Sequence, residues 1–129
     1  MRYLRAEEIL AIHDETVEKE GGILGIRDLG LLYSLAERPK SSMMGQEFYP
    51  DLFSKAAAIL EGIATYHVFS DANKRTAFLS TGTFLGFQGF DLIVEHDVAY
   101  RFVLEVAVQK KSIEEIAAWL KKNSRKSRT

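Results

Sequence analysis

The chain contains no cysteine. Disulfide staples and thiolate metal sites are thereby excluded, and the fold must be held by packing alone. Proline is nearly absent: Pro39 and Pro50 are the only two, and both fall where helices should stop or start. No apolar run approaches the roughly 20 residues that span a bilayer. The opening residues, MRYLRAEEIL, carry charges where a secretory leader needs its apolar core, so the expected location is the cytoplasm. Internal repeats and low-complexity linkers are lacking too. What is present is 129 residues, 47% hydrophobic and 27% charged, the profile of one soluble globular domain. A chain of this size buries roughly two-thirds of its extended surface and needs no staple.

Charge is unevenly placed. The net is −1, yet the last nine residues, KKNSRKSRT, hold Lys121, Lys122, Arg125, Lys126 and Arg128. The first 120 residues therefore carry 12 basic against 18 acidic side chains, a net of −6. An acidic body with a basic end does not match a nucleic-acid-binding domain. The expected organisation is a single domain over 1–120 with a frayed, solvated basic tail over 121–129; the tail is the only feature that offers an acidic partner or a nucleic acid a contact.

Periodicity predicts helices almost throughout. The first runs from about Arg5 to Glu20, with Ile9, Ile12, Thr16 and Glu20 on one side and Leu10, His13 and Val17 widening the apolar stripe; Gly21 and Gly22 end it. After the turn-rich GGILGIRD, Asp28 caps a short helix that stops before Pro39. Residues 41–50, SSMMGQEFYP, lack a clean period and predict a loop or short ribbon. Asp51 caps a central helix through about Phe69, buried through Phe53, Ala56, Ala57, Leu60, Ile63 and Ala64, with Gly62 marking a tight contact. A helix from about Ala72 to Gln88 follows, facing inward with Ala77, Phe84 and Leu85. Asp97 to Lys110 forms another, packed through Phe102, Val103 and Val106. Ser112 and Glu115 make a capping box for the last, SIEEIAAWLKKN. The expected fold is all-α: a compact bundle of six helices with a short flap near 41–50 and no other strand.

One segment concentrates chemistry: His67-Val68-Phe69-Ser70-Asp71-Ala72-Asn73-Lys74-Arg75. It follows one helix and opens another, and the first turn of a helix presents unpaired N–H groups and a positive dipole end. Lys74 and Arg75 add two cations, Arg75 as a bidentate fork and Lys74 as a mobile point charge. The amides from Ala72 onward and these cations form a phosphate cradle. Asp71 beside them suits Mg²⁺. A neutral His67 imidazole can take a proton from an incoming hydroxyl. Asn73 either holds the loop through its amide or donates to a phosphate, and Phe69 plugs the loop into the core. Together the groups suit nucleotide-dependent transfer, where positioning and charge neutralisation dominate.

Taken singly, each residue has a plainer role. A histidine at a helix end commonly caps it, Asp71 would serve as an N-cap, and Lys74 and Arg75 would be solvated surface charges. His13 lies within an apolar stripe and reads as a structural histidine. His96, between Glu95 and Asp97, is a poor metal site because three neighbours in sequence rarely converge on one ion. Met43 and Met44 are loop filler or a sticky substrate surface.

HVFSDANKRTA resembles the central motif of the Fic/Doc family, H-x-F-x-(D/E)-G-N-G-R-x-x-R, and within that family the death-on-curing branch, the Doc toxins of toxin–antitoxin pairs. His67, Phe69, Asp71, Asn73 and Arg75 match. Ala72 replaces the first glycine, Lys74 the second, as in Doc toxins, and Phe78 stands where the last arginine would be. The likeness extends over nearly the whole chain in length, helix order and the early GGILGIRD loop. It implies ATP and Mg²⁺ as cofactors, His67 as the base, Asp71 as the metal ligand, and Asn73, Lys74 and Arg75 as the groups that orient phosphates. Fic enzymes generally transfer AMP to a protein hydroxyl, whereas Doc toxins transfer the terminal phosphate to a threonine of elongation factor Tu. Lys74 fills space that glycine would leave, and Phe78 removes an anchor, so ATP is expected turned round with its γ-phosphate near His67. The resemblance also implies a cognate antitoxin whose disordered C-terminal segment folds into a groove on the toxin.

Some Fic proteins carry an inhibitory (S/T)-x-x-x-E-(G/N) string. Thr16 to Gly21, TVEKEG, fits it, but three free positions in six make the pattern weak and it reads as a chance match. Three other functions compete with phosphate transfer: AMP transfer on the same fold, a catalytically silent nucleotide-binding module, and a nucleic-acid binder resting on the basic tail alone. Intact His67 and Asp71 count against the silent module. Within the flap, Phe48 and Tyr49 are equally able to contact a target peptide lying against it as an extra strand.

Overall fold

The computed structural model describes residues 1–128. Six α-helices dominate: α1 (Ala6–Glu20), α2 (Leu29–Glu37), α3 (Leu52–Thr65), α4 (Asn73–Phe87), α5 (His96–Ala107) and α6 (Ile113–Lys122). The caps lie where the sequence places them. Asp28 Oδ1 accepts from the Leu31 amide at 2.9 Å, Asp51 Oδ1 from Ser54 at 2.8 Å, and Ser112 and Glu115 exchange two bonds at the start of α6. Each satisfies amides that the first helical turn leaves without partners.

α3 is the axis of the bundle. It packs against α4, α5, α6 and α2, and Ala56, Ala57, Ala58 and Leu60 are wholly buried. Small side chains let the neighbouring helices approach closely. At Gly62 a Cβ would fall 2.7 Å from Leu35 Cδ2, so this interior glycine is required by the seating of α2 and its helix-propensity cost of about 1 kcal/mol is offset there. The core continues through Phe69, Phe84, Leu85, Val106, Ile116 and Leu120.

The expected ribbon forms: β1 (Ser42–Met43) pairs antiparallel with β2 (Gln46–Glu47) around Met44 and Gly45, both at positive φ, the two-residue turn that matches strand twist. Lys55 anchors it. This lysine lies in the buried face of α3, where its Nζ reaches Glu47 Oε1 at 2.7 Å, the Tyr49 carbonyl at 2.7 Å and the Pro39 carbonyl at 3.2 Å. Tyr49 is further held because its hydroxyl accepts from Arg38 Nε at 3.1 Å. Phe48 is left exposed, which separates two residues the sequence cannot tell apart.

Three expectations are corrected. The central helix ends at Thr65, four residues early, because His67 adopts φ 51° and leaves the helical region. The fifth helix begins at His96 and ends at Ala107 rather than Lys110. Most visibly, the basic end is not frayed over the described residues: β4 (Ser124–Lys126) pairs antiparallel with β3 (Phe90–Leu92), with Ser127 Oγ bonded to Asp91. Asp91 opposite Arg125 gives the strand a favourable cross-strand charge pair. Thr129, the end of the expected tail, lies outside the described residues. No helix among the described residues is long and apolar enough to cross a membrane.

Candidate functional site

The loop between α3 and α4 is clamped from several sides. The carbonyl of Val68 accepts from Arg27 and Asp28, and Ser70 donates to Gly25, so the stretch before α2 runs antiparallel to the motif, with Ile26 bridged to Phe69. Val68 and Phe69 are wholly buried, and Phe69 is the plug that the sequence predicts. Asn73 closes the loop on itself: its Oδ1 accepts from the Phe69 amide and its Nδ2 donates to the Phe69 carbonyl, both at 3.0 Å. Its side chain is therefore spent on the loop, which decides between the two roles open to it in the sequence; only its amide remains for a ligand.

His67 and Ala72 bracket this loop, both left-handed, with φ 51° and 61°. Side chains with a Cβ adopt that region at a cost of about 1–2 kcal/mol, and such strain gathers at functional loops. Ala72 is the N-cap of α4, and its amide donates to Asp71 Oδ1 at 2.8 Å. Ala72 thus drops out as a phosphate-binding amide. The amides of Asn73, Lys74 and Arg75, the first turn of α4, have no hydrogen-bond acceptor among the described residues, as helix geometry requires.

A cavity of about 350 Å³ opens over this turn. Asp71, Ala72, Asn73, Lys74, Arg75 and Phe78 line it from the motif and α4; His96, Ala99, Tyr100 and Val103 line it from α5, and Glu20 from α1. Arg75 Nε is buried and makes no hydrogen bond, although Glu20 Oε2 lies 3.2 Å away in ion-pair range. A cation with an unused donor beside free helix-start amides has the chemistry that suits an anion. Asp71 is exposed at the wall. Each of its carboxylate oxygens takes one amide, from Ala72 and, at 3.2 Å, from Ile23, and retains lone pairs. Gly22 makes room for it: a Cβ there, at φ +124°, would meet Asp71 Oδ2 at 2.9 Å.

No group of three or more His, Cys, Asp or Glu side chains converges among the described residues. A divalent ion caged by the protein alone does not fit. An ion carried on phosphate oxygens and touched by one carboxylate does, because Mg²⁺ characteristically takes one or two carboxylates and completes its shell with phosphates and water.

His67 is exposed and does not line the cavity. The sequence places it at the end of the central helix; it stands instead on the turn beyond, with no hydrogen-bond partner among the described residues. His96 does line the cavity, as the first residue of α5, a position its sequence neighbours did not advertise. Tyr100, Ala99 and Val103 join it through helical spacing on α5, which only the packing of α5 over α4 turns toward the motif. Glu20 belongs to the TVEKEG string read above as chance; its contact with Arg75 shows that the end of α1 bears directly on the site.

The sequence model of the Fic/DOC family matches residues 3–85, a span holding α1 to α3, the motif and most of α4. The chain belongs to the Fic/DOC family. Curated relatives agree: it is 38% identical over 120 residues to Toxin Doc of Mycolicibacterium smegmatis, covering 92% of this chain and 90% of that protein. It is also 38% identical over 94 residues to Protein kinase doc of Escherichia phage P1, covering 70% of this chain and 74% of the phage protein. Within the Fic/DOC fold of this chain, the family motif supplies Asp71, Ala72, Asn73, Lys74 and Arg75 to the lining of the cavity over α4.

Proposed function

We propose that the chain is a Doc-type toxin that transfers the terminal phosphate of ATP to a protein hydroxyl, with a threonine of elongation factor Tu as the acceptor. The observation that carries this reading is the first turn of α4: three free amides, the Lys74 and Arg75 cations and the Asp71 carboxylate on one cavity wall. The names of the relatives, one a toxin and one a protein kinase, support it.

In the transfer, the amides of residues 73–75 and the two cations hold the phosphate chain and offset its charge. Asp71 would hold a Mg²⁺ ion carried in with the nucleotide, which would supply charge neutralisation for the transferring phosphate. Phe78 presents an aromatic face where the family pattern has arginine, so the nucleotide lacks that anchor and lies with its γ-phosphate toward the loop. His67, open to solvent, meets an acceptor segment arriving from outside and takes the proton of its hydroxyl. The acceptor oxygen bonds to the γ-phosphorus as the bond to the β,γ-bridging oxygen breaks, leaving ADP and a phosphorylated side chain. Phe48, exposed on the flap, is the flap aromatic left free to contact that acceptor segment. A cognate antitoxin, acting through a segment that orders on binding, completes the toxin–antitoxin pair.

The test is intact-mass analysis of elongation factor Tu after incubation with the chain, ATP and Mg²⁺. An added phosphate supports the reading. An added AMP overturns it in favour of adenylylation, and no addition together with tight nucleotide binding identifies a silent module.

A further inference from the structure

We infer that His13 is a positioning residue for the nucleotide–magnesium site, acting through the main chain of Asp71. The inference rests on the proposed role of Asp71 as the Mg²⁺ contact. His13 sits in the middle of α1, wholly buried. Its Nε2 lies 2.9 Å from the carbonyl oxygen of Asp71, 58 positions away in sequence. A carbonyl can only accept, so Nε2 carries the proton and donates it. Nδ1 lies 2.9 Å from Asp14 Oδ1. The ring stacks face to face on Phe69, with centroids 3.9 Å apart and planes within 9°. The imidazole is thus held by its Nε2 bond and across one face, with the Asp14 carboxylate beside Nδ1.

A histidine that merely filled an apolar stripe would waste two polar atoms on burial. Here each has a polar neighbour, and Nε2 donates to the backbone of a residue that lines the cavity. Asp71 needs such a hold. It is exposed and adjoins a left-handed residue, Ala72, and its carboxylate is tied only by the Ala72 and Ile23 amides. The Asp71 carbonyl is the point at which α1 fixes the peptide plane, and with it the direction in which the carboxylate leaves the chain. Hydrogen bonds behind a metal ligand commonly govern metal affinity by 10- to 100-fold.

The experiment titrates Mg²⁺ into the full chain in the presence of a non-hydrolysable ATP analogue and follows analogue binding by calorimetry, alongside thermal melting. His13→Phe keeps the stack on Phe69 and removes the donor. It should raise the Mg²⁺ concentration for half-maximal binding by about tenfold and leave Mg²⁺-free analogue binding unchanged. His13→Gln, whose amide can donate to the same carbonyl, should recover most of that shift; a residue with only a packing role would show no such rescue. Asp14→Ala, at a half-exposed position on α1, puts the fold at little risk and should move the Mg²⁺ dependence in the same direction. A folded His13→Phe with wild-type Mg²⁺ dependence overturns the inference, and if that variant does not fold, wild-type dependence in Asp14→Ala does so. Absence of Mg²⁺-dependent binding in the unmodified chain would instead overturn the assignment of Asp71, and this inference with it.

Discussion

At Ala72 a methyl group sits in a backbone region where the family pattern has glycine. The left-handed φ of 61° costs a Cβ-bearing residue about 1–2 kcal/mol, part of which alanine returns by restricting the unfolded chain. Ala72→Gly should therefore stabilise the fold by about 0.5–1 kcal/mol in chemical denaturation. A destabilisation would show that the left-handed conformation carries no strain. Glu20 makes a second case. In the proposed site its carboxylate would compete with phosphate for Arg75, but both side chains are well exposed, and such pairs contribute at most about 1 kcal/mol. Glu20→Gln should tighten ATP binding by up to about fivefold in calorimetry; weaker binding would mean that Glu20 helps to hold the nucleotide.

The helices show which parts of the fold are legible in local sequence. Asp28, Asp51 and Ser112 announce helix starts because a cap is a contact across three residues. The end of α3 is not announced: Tyr66, His67 and Val68 continue a helical pattern, and only the pairing of Val68 with the stretch at Arg27 and Asp28 pulls the chain away. Lys55, absent from the stripe expected for α3, is buried because Glu47, Pro39 and Tyr49 from outside the helix supply its partners. The caps also set a pH dependence. The backbone N–H of Arg5 holds the Glu8 carboxyl below its ordinary value of 4.5, and that of Ser112 does the same for Glu115. A carboxyl whose folded pKa is depressed contributes stability in full above its unfolded value and loses it as the pH falls through the folded one. Urea denaturation should show stability falling below about pH 4.5. Glu115→Gln should flatten part of that fall, and an unchanged slope would remove the α6 cap from the explanation.

Over the whole molecule, the site is an agreement among distant segments. The motif loop is contiguous and its residue types speak for themselves, so Asp71, Lys74 and Arg75 were found in sequence and the cavity brings them together. Glu20, His96 and Tyr100 arrive from α1 and α5, and no local pattern signals that those helices converge over α4. The β3–β4 pair joins Phe90–Leu92 to Ser124–Lys126 and was invisible for the same reason. Because none of residues 124–128 lines the cavity, removing the chain after Asn123 should lower the melting temperature and leave ATP affinity unchanged. A loss of affinity would tie the C-terminal strand to the site.

In the proposed mechanism the helix-start cavity hands a γ-phosphate to a hydroxyl deprotonated by His67. Parallel reactions with ATP labelled at the γ- or the α-phosphate, run with the unmodified chain and with His67→Ala, test it most directly on elongation factor Tu. The expected result is γ-label on the acceptor, no α-label, and loss of transfer in a His67→Ala variant that melts like the parent. Transfer of α-label, or equal γ-transfer by His67→Ala, would contradict it.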